Sequence, residues 1–179
     1  MIRNLTHKLR INFRGPIWLI TSGAVAVGLV LAIVLVALRP RMPIPESILQ
    51  KLNFSVFYPG GHSTYKVDQN SITYSSSDKV LIFHAKSDDN DLTISEQATP
   101  DSFNDIPDYY TKLLEKLNDY KDFDSVSGKV ALTRPQELKG AQSAVFNSRG
   151  VLMFVHPAHD LSNDDWRKFF DSIEQATTN

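Results

Sequence analysis

The segment HPAHD at 156–160 holds the residue types best suited to chemistry. Two imidazoles, His156 and His159, stand with the carboxylate Asp160, and nitrogen and oxygen donors of this kind can ligate zinc or a related divalent metal. His62 or His84 would complete such a set. The spacing is not the helical H-x-x-x-H that puts two imidazoles on one face, and Pro157 excludes a helix through the segment. A strand-end loop that leads into a capped helix accounts for the same residues without a metal. SDDND at 87–91 gathers three carboxylates and an amide, the oxygen donors that calcium prefers. It lacks the twelve-residue loop with its glycine and terminal glutamate, so it reads as a polar hairpin loop. GGHSTYK at 60–66 sets glycines near a lysine, but it neither matches the phosphate-binding G-x-x-x-x-G-K-[ST] pattern nor opens a helix. None of the serines lies in G-x-S-x-G. Glu96 and Asp101 could pair as carboxylates only if the fold brought them together. Cysteine is absent, which removes disulfides, thiolate metal sites and cysteine nucleophiles. No cofactor is expected.

These residues depend on elements whose order is legible from periodicity. Residues 39–45, RPRMPIP, form a stiff extended linker with Pro40, Pro43 and Pro45, and ESILQKL adds a helical turn; together 39–52 are read as a spacer. A period of two then sets in. FSVFY places Phe54, Val56 and Tyr58 on one face, and STYKVD, SITYS, KVLIFHAK and DLTISEQ follow as strands separated by short polar breaks. In DSFNDIPDYYTKLLEKLNDY the spacing of Ile106, Tyr110, Leu113 and Leu117 predicts one helix, capped by Asp105 with Pro107 in its first turn. KVALTR, QSAVFN and VLMFVHP are three further strands, and Gly150 supplies positive φ in the hairpin turn between the last two. A final helix begins at the N-cap Ser162, with Trp166, Phe169, Phe170 and Ile173 as its buried stripe. The expected domain, residues 53–179, is α+β with a mainly antiparallel sheet and two packed helices.

Upstream of it, Pro16 to Leu38 is 23 residues without a charge. A helix of that length covers about 35 Å, enough for a hydrocarbon core of about 30 Å. Trp18 suits the headgroup level, and Gly23 and Gly28 are tolerated in a span. The apolar run is longer than a signal peptide needs, and VALRP offers no small-residue cleavage site, so an uncleaved anchor is expected. Residues 1–15 form a basic tail ending at Arg14, and Arg39 follows the span. The tail holds four Lys and Arg and no acid, which favours a cytoplasmic N-terminus and an extracytoplasmic domain. Ala24, Gly28 and Ala32, four apart, would permit a homodimer through the span.

Charge sharpens the division. Residues 42–179 carry 13 Lys and Arg against 20 Asp and Glu, a net −7. So acidic a domain is a poor match for nucleic acid, whose binding is dominated by phosphate neutralisation. The closing stretch GVLMFVHPAHDLSNDDWRKFFDSIE resembles the last strand, polar cap and helix of small membrane-anchored bacterial domains of unknown function. The overall element order is similar to the PsbP/Mog1-like α+β fold. The resemblance implies a fold and carries no functional residue with it. The basic leader, Gly15 and long apolar helix also resemble a type IV pilin precursor, but Pro16 follows the glycine and Ile20 stands where that family has glutamate. The expected role is binding or assembly beside an envelope protein partner, with the bilayer as the other contact. The alternatives are an anchored metal-assisted hydrolase using His156 and His159, and a pilus-like or secretion component.

Overall fold

A computed structural model describes residues 42–106, 108–116, 121–134 and 141–176. The expected tail and span, with Arg14, Trp18, Gly23, Gly28 and Arg39, lie outside the described residues. Among the described residues no helix is long and apolar enough to cross a membrane.

Two antiparallel meanders make the main sheet. The first is β2 (Lys66–Ser75), β3 (Val80–Lys86) and β4 (Asp91–Ala98); the second is β5 (Lys121–Ser125), β6 (Gly128–Thr133), β7 (Ser143–Ser148) and β8 (Val151–Pro157). They join along β4 and β8, giving the order β2-β3-β4-β8-β7-β6-β5. A separate two-stranded ribbon pairs β1 (Val56–Pro59) with β9 (Ile173–Ala176). Four helical segments complete the described residues: α1 (Glu46–Leu49), α2 (Ser102–Asp105), α3 (Tyr109–Glu115) and α4 (Asn163–Asp171).

Side-chain alternation gives the sheet two covered faces. Leu81, Phe83, Leu92, Ile94, Met153 and Val155 point to one side and form the main core with Trp166, Phe169 and Phe170 of α4 and Val56 and Phe57 of β1. On the other side Ala131, Val145 and Leu152 pack with Leu114 of α3, Phe103 and Tyr110. The α2–α3 segment is the connection from β4 to the far edge strand β5, and it covers the strands it crosses. The domain is therefore α+β with a mainly antiparallel sheet, as the periodicity predicts.

Several elements differ from the sequence reading. The KVD of STYKVD and the whole of SITYS belong to one strand, β2, interrupted by a bulge between Asp68 and Thr73, and Ser63–Tyr65 lie before it. Asp68 Oδ1 accepts from Asn70 N–H at 3.1 Å, and the Ser71 hydroxyl donates to Asp68 O at 2.6 Å. These local bonds absorb the extra residues without a reversal of the chain. The helix expected to start at the Asp105 cap with Pro107 in its first turn begins only at Tyr109, and a separate short helix, α2, stands before it at Ser102–Asp105. Ile106, the residue before a proline, is extended at φ −110° and ψ 113°, as the clash with the proline ring requires. Asp105 consequently ends α2 and caps nothing, and Leu114 is buried where Leu113 was expected. Ile173 leaves the helix and begins β9. The stretch 44–52 is no free spacer, since Ile44, Leu49 and Leu52 are buried in the main core.

Two local expectations hold. Ser162 caps α4, its Oγ accepting from Asp165 N–H at 3.2 Å. The β7–β8 turn places Arg149 at φ 51° and Gly150 at φ 77°, the pair of positive values that a tight two-residue hairpin needs.

Candidate functional site

Strand register brings three polar segments to one end of the sheet. Lys86 pairs with Asp91 across the β3–β4 hairpin, and Leu92 pairs with Pro157 across β4 and β8. SDDND and HPAHD therefore lie side by side, although about 70 residues of sequence separate them. Thr64 and Tyr65 of the loop before β2 and Lys66 at the start of β2 join them, and α4 closes the fourth side. Between them opens a cleft of about 680 Å³.

The loops are tied by side chains. Asn90 donates from Nδ2 to His159 O at 2.9 Å, while its Oδ1 accepts from His159 N–H at 3.2 Å and Asp91 N–H at 2.9 Å. Ala158 N–H donates to Asp91 O at 2.8 Å. Asp160 accepts from Gln142 N–H at 2.7 Å and from Arg134 Nη2 at 2.9 Å. The Gln142 N–H, with the Arg134 guanidinium, holds the Asp160 carboxyl below the usual range. Asp165 is held low by the Ser162 hydroxyl, which donates to it at 2.6 Å, and by Lys168 at 3.4 Å. Lys86 is engaged by Asp68 at 2.7 Å.

Tyr65 and Phe169 form the floor, edge to face at 5.5 Å. Burial raises the Tyr65 hydroxyl above its ordinary value; Ser87 bonds to it and pulls the other way, and Asp165 and Asp89 add to the rise. The glycines of GGHSTYK serve the loop geometry. Gly61 N–H donates to Glu174 Oε1 at 3.1 Å, and a side chain on Gly60 would strike that same carboxylate.

The remaining histidines take separate positions. His156 sits on the outer face of β8 and shares a 2.7 Å hydrogen bond between Nδ1 and Ser143 Oγ. His159 lines the cleft. His84 Nδ1 lies 2.8 Å from Asp91 Oδ1, and His62 is exposed. Among the described residues no three His, Asp or Glu side chains gather as a metal-ligand set. Glu96 points into the main core and is fully buried, whereas Asp101 is exposed, so the two do not act as a pair.

Lys86 and Lys168 carry no signal in the sequence; Asn90 and Lys66 stand in the weighed segments SDDND and GGHSTYK, but nothing there joins them to each other or to Tyr65 and Asp165. The signal for the cleft was spread over three loops, each polar and each unremarkable alone. Only the β4–β8 pairing unites them, and a pairing so distant in sequence leaves no local mark. Comparison with known protein families, curated proteins and solved structures finds no match for the chain.

Proposed function

We propose that the chain is a single-pass membrane protein, N-terminus cytoplasmic, that displays a non-enzymatic binding or assembly domain outside the cytoplasm. The observation that carries the binding reading is the cleft whose SDDND and HPAHD loops Asn90 ties together, with Asp160 fixed in turn by Gln142 and Arg134. The polar groups there are spent on fixing the shape of the opening, which is what recognition of a partner requires. The anchor reading rests on the uncharged run Pro16–Leu38 and its basic flank. An envelope protein is the proposed partner, the bilayer holds the domain near it, and self-association through the span is a further contact.

The test is site-specific crosslinking in cells, with a photoreactive residue at Asp89 in the cleft or at Val126 in the distant β5–β6 turn. A discrete adduct from Asp89 and none from Val126 supports the reading. Equal labelling from both, or from neither, overturns it. External protease checks the orientation: digestion of the domain in intact cells supports display, and protection until lysis refutes it.

One contact favours a hydrolytic reading instead. Ser143 Oγ and His156 Nδ1, 2.7 Å apart, have the separation of a nucleophile and its base. The pair lies on the outer sheet surface and not in the cleft. Covalent labelling of Ser143 by a serine-directed phosphonate, abolished in His156→Ala, would favour the enzyme; an unlabelled serine removes that reading.

A further inference from the structure

Among the described residues strand β1 is hydrogen-bonded in its ladder to β9 alone, with Phe57 opposite Gln175. It is nevertheless buried along its whole length. A buried strand with one ladder partner has amide groups that need acceptors elsewhere. For Phe57 N–H the acceptor is a side chain. The two carboxyl oxygens of Glu96 lie 3.2 and 3.1 Å from it. Glu96 thus does for β1 what a neighbouring strand would otherwise do.

The place is unusual for a carboxyl group. Glu96 follows Leu92 and Ile94 on the inner face of β4, between its cross-strand partners Leu81 and Met153. Phe83, Val151, Val155 and the buried face of α4, with Trp166 and Phe170, make the rest of that core apolar. On β1 the titratable group is Tyr58, whose hydroxyl turns to Glu174 at 3.5 Å. On β9 Glu174 also accepts from Gly61 N–H, and Gln175 is engaged by Arg149. None of these is bonded to Glu96. Burial pushes the Glu96 carboxyl well above the usual range, and the Phe57 N–H offsets this only in part.

We propose that Glu96 is a proton-controlled latch: its protonated carboxyl joins β1 to the seven-stranded sheet, and loss of that proton loosens the β1–β9 layer. A buried carboxylate without a cation is too costly to leave dry. The layer facing it is the ribbon, so relief comes by parting ribbon from sheet. The segment 44–52 leads directly into β1 and shares its core, and it loosens with the ribbon. The direction in pH follows from linkage. An acid raised in the folded state keeps its proton there longer than in the open one, so the closed layer is favoured on the acid side. It loses stability as pH rises from the ordinary glutamate value of 4.5, until the folded value is passed.

Amide hydrogen exchange on the full chain in detergent micelles tests this, with rates corrected for the intrinsic pH dependence of exchange. In the wild-type protein the protection of Val56–Pro59 and Ile173–Ala176 should fall by about tenfold per pH unit over the interval between the open-state and closed-state titrations. Strands β3, β4 and β8 should not follow. In Glu96→Gln, neutral at every pH, ribbon protection should stay level. A wild-type ribbon whose protection does not change with pH overturns the proposal, as does an equal fall in the variant. Should the variant fail to fold, the wild-type protein decides alone, through the infrared band of its protonated carboxyl. Loss of a buried carboxyl band over the pH interval in which ribbon protection falls supports the latch. A band already lost near the ordinary value refutes it.

Discussion

Two buried acids on opposite faces of the sheet oppose folding at high pH for related reasons. Tyr110 packs beside Leu114 and Val145, and among the described residues its buried hydroxyl has no hydrogen-bond partner. Burial pushes that phenol up to about 12 from 10.0. The folded state holds the proton longer than the unfolded one, so stability is lost as pH climbs from 10.0 through about 12. Tyr110→Phe removes an unsatisfied hydroxyl and keeps the ring. It should stabilise the domain by about 1 kcal/mol and remove that alkaline step. Urea titrations at neutral and alkaline pH read both effects, and a Phe variant less stable than wild type refutes the account. At the other side of the sheet, Glu96 shows how a sequence can state a position and hide its meaning. The alternation of DLTISEQ already places Glu96 in line with Leu92 and Ile94. What periodicity could not supply was Phe57, which sits 39 residues away with its amide in need of an acceptor.

Elements were legible where one local rule acted without competition. The cap at Ser162 and the turn at Gly150 depend on their own few residues, and both stand as expected. The β3 and β4 patterns, with one inner face each, gave their strands directly. Strand β5 was missed because KDFDS offers only Phe123 as an apolar side chain in an edge position. Ile173 misled for a different reason. It is buried on the period of the helix that precedes it, and burial alone cannot tell a fourth helical contact from the first residue of a strand. The turn chemistry can be tested directly. Gly150→Ala forces a side chain into φ 77°, a region that costs an alanine about 1 kcal/mol. Since nothing among the described residues beyond its two chain neighbours stands within 4 Å of the added carbon, the loss should appear as backbone strain alone. Ser162→Ala should cost about 1 kcal/mol by leaving an N-terminal amide of α4 unpaired. Chemical unfolding of each variant gives the values, and a neutral result at either position refutes the corresponding reading.

At the scale of the molecule, the core begins before the region where strand periodicity sets in. Ile44, Leu49 and Leu52 have relative exposures of 2%, 6% and 8% and belong to the same cluster as Trp166 and Phe170. The sequence reading placed them in a spacer because prolines dominate the approach, at Pro40, Pro43 and Pro45. Pro43 and Pro45 each fix their own φ, yet the apolar residues between and after them decide where the segment docks. A domain starting at Asn53 would lose three buried side chains, each worth about 1.5–3 kcal/mol when removed from water. It would also strip the cover from Phe54 and the ribbon. A domain starting at Met42 keeps them all. Thermal unfolding of the two should therefore diverge widely: the longer form should melt in a single cooperative transition, and the shorter should be partly unfolded before heating begins. Equal melting temperatures would show that 44–52 rests on the core without supporting it. If the divergence is found, residues 44–52 are themselves part of the fold, and the domain enters strand β1 through packed structure instead of through slack chain.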